Sequence, residues 1–398
     1  MRWREAVGAI VGLFVVTRGA LFLIATLLER NIPLAYQGPT YSSAPVLSSL
    51  TGTDSIYLLG IAAQGYHAEP ITKGFLDWAY FPLYPLVTRL VSYVTFGDLA
   101  LAGVIVSNVA FVAALLVLYR LAVPRLGHDV AVRSLAFVAL APGAVAFAMA
   151  YTDSLFLLLA AGTFLAAEQR RWALMAVLYA LASLTRLQGV LLGLPLLVML
   201  LQASRDGRGV AAEHETAAES STTDGIDSGG AAKPNPGRPR PRVELLAWLA
   251  AGPIALAAFG AYLGATFGDP LGMIHAQQAW SDIGKPGTGA SGAIPVVDRF
   301  DPLVLLLIGV LLFYVFLLVF LRRDKVPWAY RVMILIAFLT VFVSLRLQSL
   351  PRYMAVVWPF SWVLAKNRSA WWGLIGLPAS AILFVVFAFL NFTQTLAP

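Results

Sequence analysis

The chain has 398 residues, of which 59% are hydrophobic and 12% charged, with a mean hydropathy of +0.77 and a formal net charge of +7. That balance excludes an ordinary soluble domain, and continuous apolar runs exclude a porin-like barrel of ten-residue alternations, so the sequence predicts an all-α, polytopic membrane helical bundle. With no cysteine, disulfide staples and thiolate metal sites are excluded too.

The first element, "MRWREAVGAIVGLFVVTRGALFLIATLL", starts basic, but its apolar stretch exceeds about 20 residues and has no small-residue cleavage signature. It predicts an uncleaved helix over 7–28 with a cytoplasmic N-terminus. Arg18 lies near its middle, where a cation is costly unless it is paired or faces a wet cavity, which makes it a candidate substrate-binding residue.

The segment 29–98 is polar and contains Asp54 at the head of a short amphipathic run, "DSIYLLGIAAQ". Thr53, Asp54 or Ser55 suits a helix N-cap, so Asp54 is either a cap or a chemical group. Beyond it, "GYHAEP" (65–70) and "WAYFPLYPLVTRL" (78–90) place two prolines three apart among aromatics, which no regular spanning helix accepts. They predict interfacial elements whose Tyr and Trp suit the headgroup level, and Tyr66, Phe81 and Tyr84 are candidate substrate-binding residues.

Further apolar runs fall at 99–119, 134–150, 154–168, 172–186, 187–203, 245–266, 302–321, 329–346, 353–365 and 371–391. With the first helix they make about eleven crossings, several of them short for a core of about 30 Å. The run 172–201 is divided at Arg186-Leu187-Gln188-Gly189, because "EQRR" (168–171) and the basic cluster Lys233, Arg238, Arg240 and Arg242 both belong in the cytoplasm.

This threading accounts for the basic excess without nucleic acid. It also puts 29–98, 151–153, 186–189, 267–301 and 347–352 on the outer face. Residues 204–243 are rich in Gly, Pro, Ser, Thr and Ala with few large apolar side chains, which predicts a disordered cytoplasmic linker. It separates an N-terminal module, 1–203, from a C-terminal module, 244–398. No internal repeat is visible, which disfavours an inverted-repeat transporter.

Polar side chains recur at the outer helix ends: Tyr151 and Asp153, Arg186 and Gln188, His275 with Gln277 and Gln278, then Arg346, Arg352 and Tyr353. Each has a plain reading, in which the arginines snorkel to headgroups and Asp153 caps the next helix. Together, a carboxylate facing several arginines at a membrane surface suits a substrate that carries a lipid phosphate, with the acid as base and arginines on the phosphate. Four histidines and no paired acids at ligand spacing leave no metal constellation, and no G-x-G-x-x-G or Walker loop indicates a nucleotide.

At these positions the sequence resembles the phosphatidylinositol-glycan class V mannosyltransferases (GPI mannosyltransferase 2) and their prokaryotic relatives. The resemblance rests on the spacing of Asp54, Ile61, Ala62, Gly65 and Tyr66, and on "YFPLYP" (80–85), "YTDSLF" (151–156), "TRLQG" (185–189), "FGDPLGMIHAQQAW" (267–280) and "PRYMAVVWP" (351–359). The chain departs from it at Thr53, Asp153 and Gln188, where the family commonly has Trp, Glu and Asn, and its lipid glycan acceptor is not carried over.

The resemblance implies a GT-C glycosyltransferase fold and use of a polyprenyl-phosphate sugar, with mannose expected, on the outer or lumenal face. An acid in the first outer loop is then the catalytic base, and that position is Asp54. The expected reaction is inverting transfer to a lipid or glycan acceptor. Arg186 and Arg352 are candidates for the phosphate, while Tyr66, the Phe81–Pro85 segment and His275 shape the sugar and acceptor site.

Expected partners are membrane lipids, the lipid-linked donor and the acceptor. No cofactor and no metal are expected, so transfer should resist EDTA. The location is an integral membrane, the plasma membrane in a prokaryote. A transporter or flippase of lipid-linked sugars is the principal rival reading, and a non-catalytic membrane subunit the second.

Overall fold

The computed structural model describes residues 2–31, 44–69, 76–203, 246–281, 302–323, 326–344, 349–366 and 370–393. The expected linker at 204–243 and the candidate Arg346 lie outside the described residues.

Helix α1 (Arg2–Asn31) carries the first apolar run. It is followed by the short α2 (Pro45–Leu50), by α3 (Asp54–Gln64), by a 3-10 turn at Asp77–Ala79 and by α4 (Leu83–Ser92). The interfacial reading of this segment matches the short, broken helices, and α4 buries Tyr84, Pro85 and Thr88 while exposing Leu86 and Leu90.

Asp98 starts α5 (Leu99–Leu126) by accepting the Leu101 amide at 2.8 Å, and Gly127, at φ +75°, allows the reversal into α6 (His128–Ala139). Helix α5 is the central post. It packs against α7 (Asp153–Glu168), α4, α6 and α1 through small residues such as Ala110, Ala114, Ala160 and Ala161, which let the backbones approach in the absence of a hydrophobic drive between helices in lipid.

Two expected spans are corrected. The run 134–150 is not one helix: α6 stops at Ala139, and Pro142-Gly143 introduces a 3-10 turn at Ala144–Phe147. The run 353–365 likewise divides into α14 (Leu350–Ala355) and α15 (Pro359–Lys366), because Pro359 supplies no amide to continue the first piece.

The break expected at 186–189 is present. Helix α8 (Trp172–Ser183) gives way to α9 (Gln188–Ala203), which folds back so that Tyr179 Oη donates to the Val190 carbonyl at 2.7 Å. A side chain at Gly189 would meet the Ala182 carbonyl oxygen at 2.2 Å, so this return needs glycine.

The remaining helices are α10 (Ala251–Phe267), α11 (Gly272–Ser281), α12 (Pro302–Arg323), α13 (Trp328–Ser344) and α16 (Ala370–Phe392). Among the described residues there is no strand, and five helices are long and apolar enough to cross a membrane. Shorter apolar helices at Trp172–Ser183, Gln188–Ala203 and Trp328–Val341 accompany them. Val15, Val16, Phe22, Leu312, Val319 and Ile382 project outward, an apolar exposure suited to lipid and not to water.

Candidate active site

Asp54 is the first residue of α3, yet its side chain caps nothing there. Its Oδ2 accepts from Arg352 Nη1 at 2.5 Å and its Oδ1 accepts from Tyr80 Oη at 2.9 Å. The capping alternative therefore fails on geometry. Thr53, just before it, holds φ +52°, an unfavourable region for a β-branched residue, and its hydroxyl is hydrogen-bonded with that of Tyr151.

Asp153 also caps nothing. It begins α7 fully buried, and its two oxygens accept from two arginines: Oδ2 from Arg352 Nε at 2.7 Å, and Oδ1 from Arg186 Nη1. An unpaired carboxylate at such a place would be expelled or neutralised, so the two guanidinium groups are the condition for its being there.

The result is a chain of alternating charge, Asp54–Arg352–Asp153–Arg186, contributed by α3, α14, the start of α7 and the break before α9. Its charges sum to zero. Exposure is least at its centre: Asp153 is at 0%, Arg186 at 9%, Arg352 at 10% and Asp54 at 16% of its side-chain surface.

Aromatic rings hold the cations in place. The Arg352 guanidinium lies 4.3 Å from the centroid of Tyr151, and that of Arg186 lies 5.3 Å from Tyr353 and 5.8 Å from Phe156. The backbone of Pro351-Arg352 packs on Gly143 so closely that a Cβ there would stand 2.2 Å from the Pro351 carbonyl oxygen.

At the Arg186 end the chain of charges opens into a groove of about 500 Å³, the open solvent at its mouth included. Arg186, Gln188, Tyr353 and Thr340 are polar residues of its lining, which is otherwise apolar and includes Leu191, Leu192 and Pro195 of α9 and Met333, Ile336 and Ala337 of α13. Among the described residues, only Asp153 accepts from the Arg186 guanidinium, which leaves donors of that group for an anion in the groove.

The stretch from α3 to α4 braces the Asp54 end. Tyr66 Oη donates to the Tyr80 carbonyl at 2.7 Å, Tyr57 stacks on Tyr80 at 5.1 Å, and Phe81 lies buried against Phe259 at 5.5 Å. Trp78 Nε1 donates to the His67 carbonyl at 2.8 Å, and His67 Nδ1 stands 2.9 Å from Asp77 Oδ2. Burial raises the Asp77 carboxyl above its ordinary range, opposed by its hydrogen bonds with His67.

Helix α11 adds a second such pair. His275 Nδ1 is 2.8 Å from Asp269 Oδ2, and this contact holds Asp269 below the usual carboxylate range. Gln278 is exposed on the same helix.

The structure thus brings together Asp54, Tyr151, Asp153, Arg186, Gln188, Arg352 and Tyr353 of the sequence candidates. Tyr66 and Phe81 support the site through Tyr80 and the aromatic packing. Tyr84 is fully buried with its hydroxyl on the Gly103 carbonyl and Ser107, and Arg18 is bonded to Asn108 and the Phe147 carbonyl, apart from the chain of charges. Tyr80 and Gly143 were not among the candidates. Tyr80 stands in a quoted motif, and Pro142-Gly143 interrupts an apolar run, so both left a signal. Among the described residues no three His, Asp or Glu side chains gather as metal ligands.

Comparison with known proteins gives one family match: a model described as dolichyl-phosphate-mannose-protein mannosyltransferase matches residues 80–214. The match takes in Tyr80, Tyr151, Asp153, Arg186 and Gln188, and leaves out Asp54 and Arg352. It covers about a third of the chain and does not confirm the phosphatidylinositol-glycan class V family that the motifs resemble.

No curated protein matches the chain. Among solved structures, it is similar to the archaeal oligosaccharyltransferase AglB from Archaeoglobus fulgidus in complex with an inhibitory peptide and a dolichol-phosphate, with 13% identity, a TM-score of 0.47 and coverage of 98% of this chain and 56% of that one. A second structure, the Archaeoglobus fulgidus oligosaccharyltransferase complex with Zn and sulfate, gives 16% identity, a TM-score of 0.44 and coverage of 95% and 53%. The chain therefore spans a little over half the length of these structures.

Proposed function

We propose that this chain is an inverting membrane glycosyltransferase that moves a sugar, with mannose expected, from a polyprenyl-phosphate donor to a hydroxyl of a lipid or glycan acceptor at the outer membrane face. The observation that carries the reading is the chain of charges from Asp54 to Arg186, opening at its cationic end into an apolar groove. A polyprenyl-phosphate sugar has that same order of parts: an apolar tail, an anion, then the reacting carbon.

In this reading the tail lies along α9 and α13, and Arg186 and Arg352 hold the phosphate. Phosphate leaves readily once its charge is held and needs no general acid, unlike the alkoxide that an ordinary glycosidase must protonate with a second carboxylic acid. Asp54 takes the proton of the acceptor hydroxyl. The oxygen forms its bond to C1 as the bond from C1 to the phosphate oxygen breaks, and the electron pair of that bond leaves on the phosphate. The ordinary affinity of Arg352 for both acids keeps the base beside the leaving-group cations.

The test is transfer of radiolabelled mannose from synthetic polyprenyl-phosphate mannose into a lipid or glycan extract, comparing the wild type with Asp54→Asn. Loss of a base of this kind is worth about 10²–10⁴ in rate, so label incorporation by the variant should fall by at least about a hundredfold while donor binding persists. Equal incorporation by both proteins would refute the role of Asp54. Movement of intact donor across vesicles, with no new glycosidic bond, would replace the transferase by a transporter.

A further inference from the structure

Arg18 is a cation within an apolar helix, and the chain of charges does not use it. Among the described residues no carboxylate pairs with it. Its Nε donates to Asn108 Oδ1 at 2.6 Å, its Nη2 to the Phe147 carbonyl at 3.0 Å and its Nη1 to Thr17 Oγ1 at 3.3 Å. The guanidinium lies 4.6 Å from the centroid of Phe111 and 5.2 Å from that of Phe14. A cation kept in such a place without an acid is expensive, and the groups it holds show what it is kept for.

Two of those contacts lead to one segment. Asn108, oriented by Arg18, donates its Nδ2 to the Val104 carbonyl at 2.7 Å and to the Ala148 carbonyl at 3.3 Å. Arg18 and Asn108 therefore hold the consecutive carbonyls of Phe147 and Ala148. Ser154 Oγ also donates to the Phe147 carbonyl, at 2.9 Å, and Ser107 Oγ donates to that of Tyr151 at 3.1 Å.

The segment so anchored, 143–153, touches the proposed site at both its ends. Gly143 receives the backbone of Pro351-Arg352, the Tyr151 ring lies under the Arg352 guanidinium, and Asp153 holds both arginines. A shift of the Phe147 carbonyl moves all three together. An apolar residue at 18 would leave Asn108 Oδ1 without its donor, and lysine, with a single nitrogen, cannot reproduce the fork of separate N–H groups.

We infer that Arg18 is a positioning residue for the phosphate end of the site: through the Phe147 carbonyl and Asn108 it fixes the turn that places Asp153, and through Asp153 the two arginines. The kinetic part of this inference rests on the function proposed above; the anchoring itself does not.

The experiment uses the full chain in nanodiscs and three variants, Arg18→Gln, Arg18→Lys and Asn108→Ala, with two readouts. The first is amide hydrogen exchange without substrate. Exchange over 144–152 should rise about tenfold or more in Arg18→Gln and Asn108→Ala while α12 exchanges as in the wild type, since one hydrogen bond from a charged donor is worth about that factor. The second is kinetic: donor KM should rise by about the same factor, with acceptor KM unchanged, and Arg18→Lys should fall between wild type and Arg18→Gln.

Wild-type exchange over 144–152 in Arg18→Gln would overturn the inference, as would exchange raised equally along the whole chain. If Arg18→Gln fails to fold, Asn108→Ala carries both readouts. If the wild type transfers no sugar, the proposed function falls, while exchange and the binding of polyprenyl phosphate to wild type and variants still decide the role of Arg18.

Discussion

Asp153 stands at 0% exposure between two arginines, and converting it to asparagine tests whether the chain of charges is a single unit. Asp153→Asn keeps the shape and one carbonyl oxygen but removes the charge. Arg186 and Arg352 then share a single anion, Asp54, across the site. Breaking a buried ion pair by removing one partner costs about 3–5 kcal/mol, because the other charge stays behind; the retained carbonyl argues for the lower end, about 3 kcal/mol.

Adding Arg186→Gln restores neutrality, leaving Asp54 with Arg352 and an amide beside an amide. The double variant should therefore be less destabilised than the sum of the two single variants by at least about 1 kcal/mol, the range expected for residues in one network. The assay is equilibrium unfolding in mixed micelles for the four proteins of the cycle, with Arg186→Gln as the fourth. If the two changes simply add, the arginine and the acid act independently, and the reasoning that ties Arg186 to the base through Asp153 is wrong.

Tyr80→Phe removes the hydrogen bond to Asp54 Oδ1; kcat for sugar transfer should fall about tenfold or more, with unchanged donor KM, in the radiolabel assay. Ala337→Phe fills the groove between α9 and α13, so a titration of polyprenyl phosphate should show affinity lowered about tenfold or more while the unfolding midpoint stays within a few degrees. Asp77 titrates above its ordinary range when folded, so the native state binds its proton more tightly than the unfolded chain does. The wild type should then lose stability relative to Asp77→Asn as pH rises from about 4 through the raised value, and the difference should level off above it; unfolding midpoints of both proteins across that window would show no trend if the shift is absent.

How far the sequence reaches differs between elements and contacts. Long apolar runs with polar ends specify membrane helices because lipid offers no partner to a backbone amide, and this argument needs no tertiary knowledge. It gave α1, α5, α12 and the return between α8 and α9. It misjudged 134–150 and 353–365, since hydropathy alone is the same for one spanning helix and for two short pieces; Pro142-Gly143 and Pro359 carried the distinction, and they weigh little in an apolar average.

The residue types of the site were legible for a similar reason: acids and arginines at the ends of apolar helices are too costly to be placed without a partner. Asp54, Asp153, Arg186 and Arg352 could each be named from the sequence. Their pairing could not, because Arg352 reaches Asp54 across 298 positions and Asp153 across 199, and nothing local encodes which helix ends meet. Tyr80 and Arg18 show the two sides of that limit. By sequence Tyr80 is one more interfacial aromatic, and only the packing of α3 puts its hydroxyl on Asp54; by sequence Arg18 is a costly cation, and only α5 and the turn before Asp153 show the groups it holds. Composition determined what kind of solvent this chain folds in and which side chains it could not place idly; only the packing of α3, α5, α7 and α14 decided which of those charges face one another.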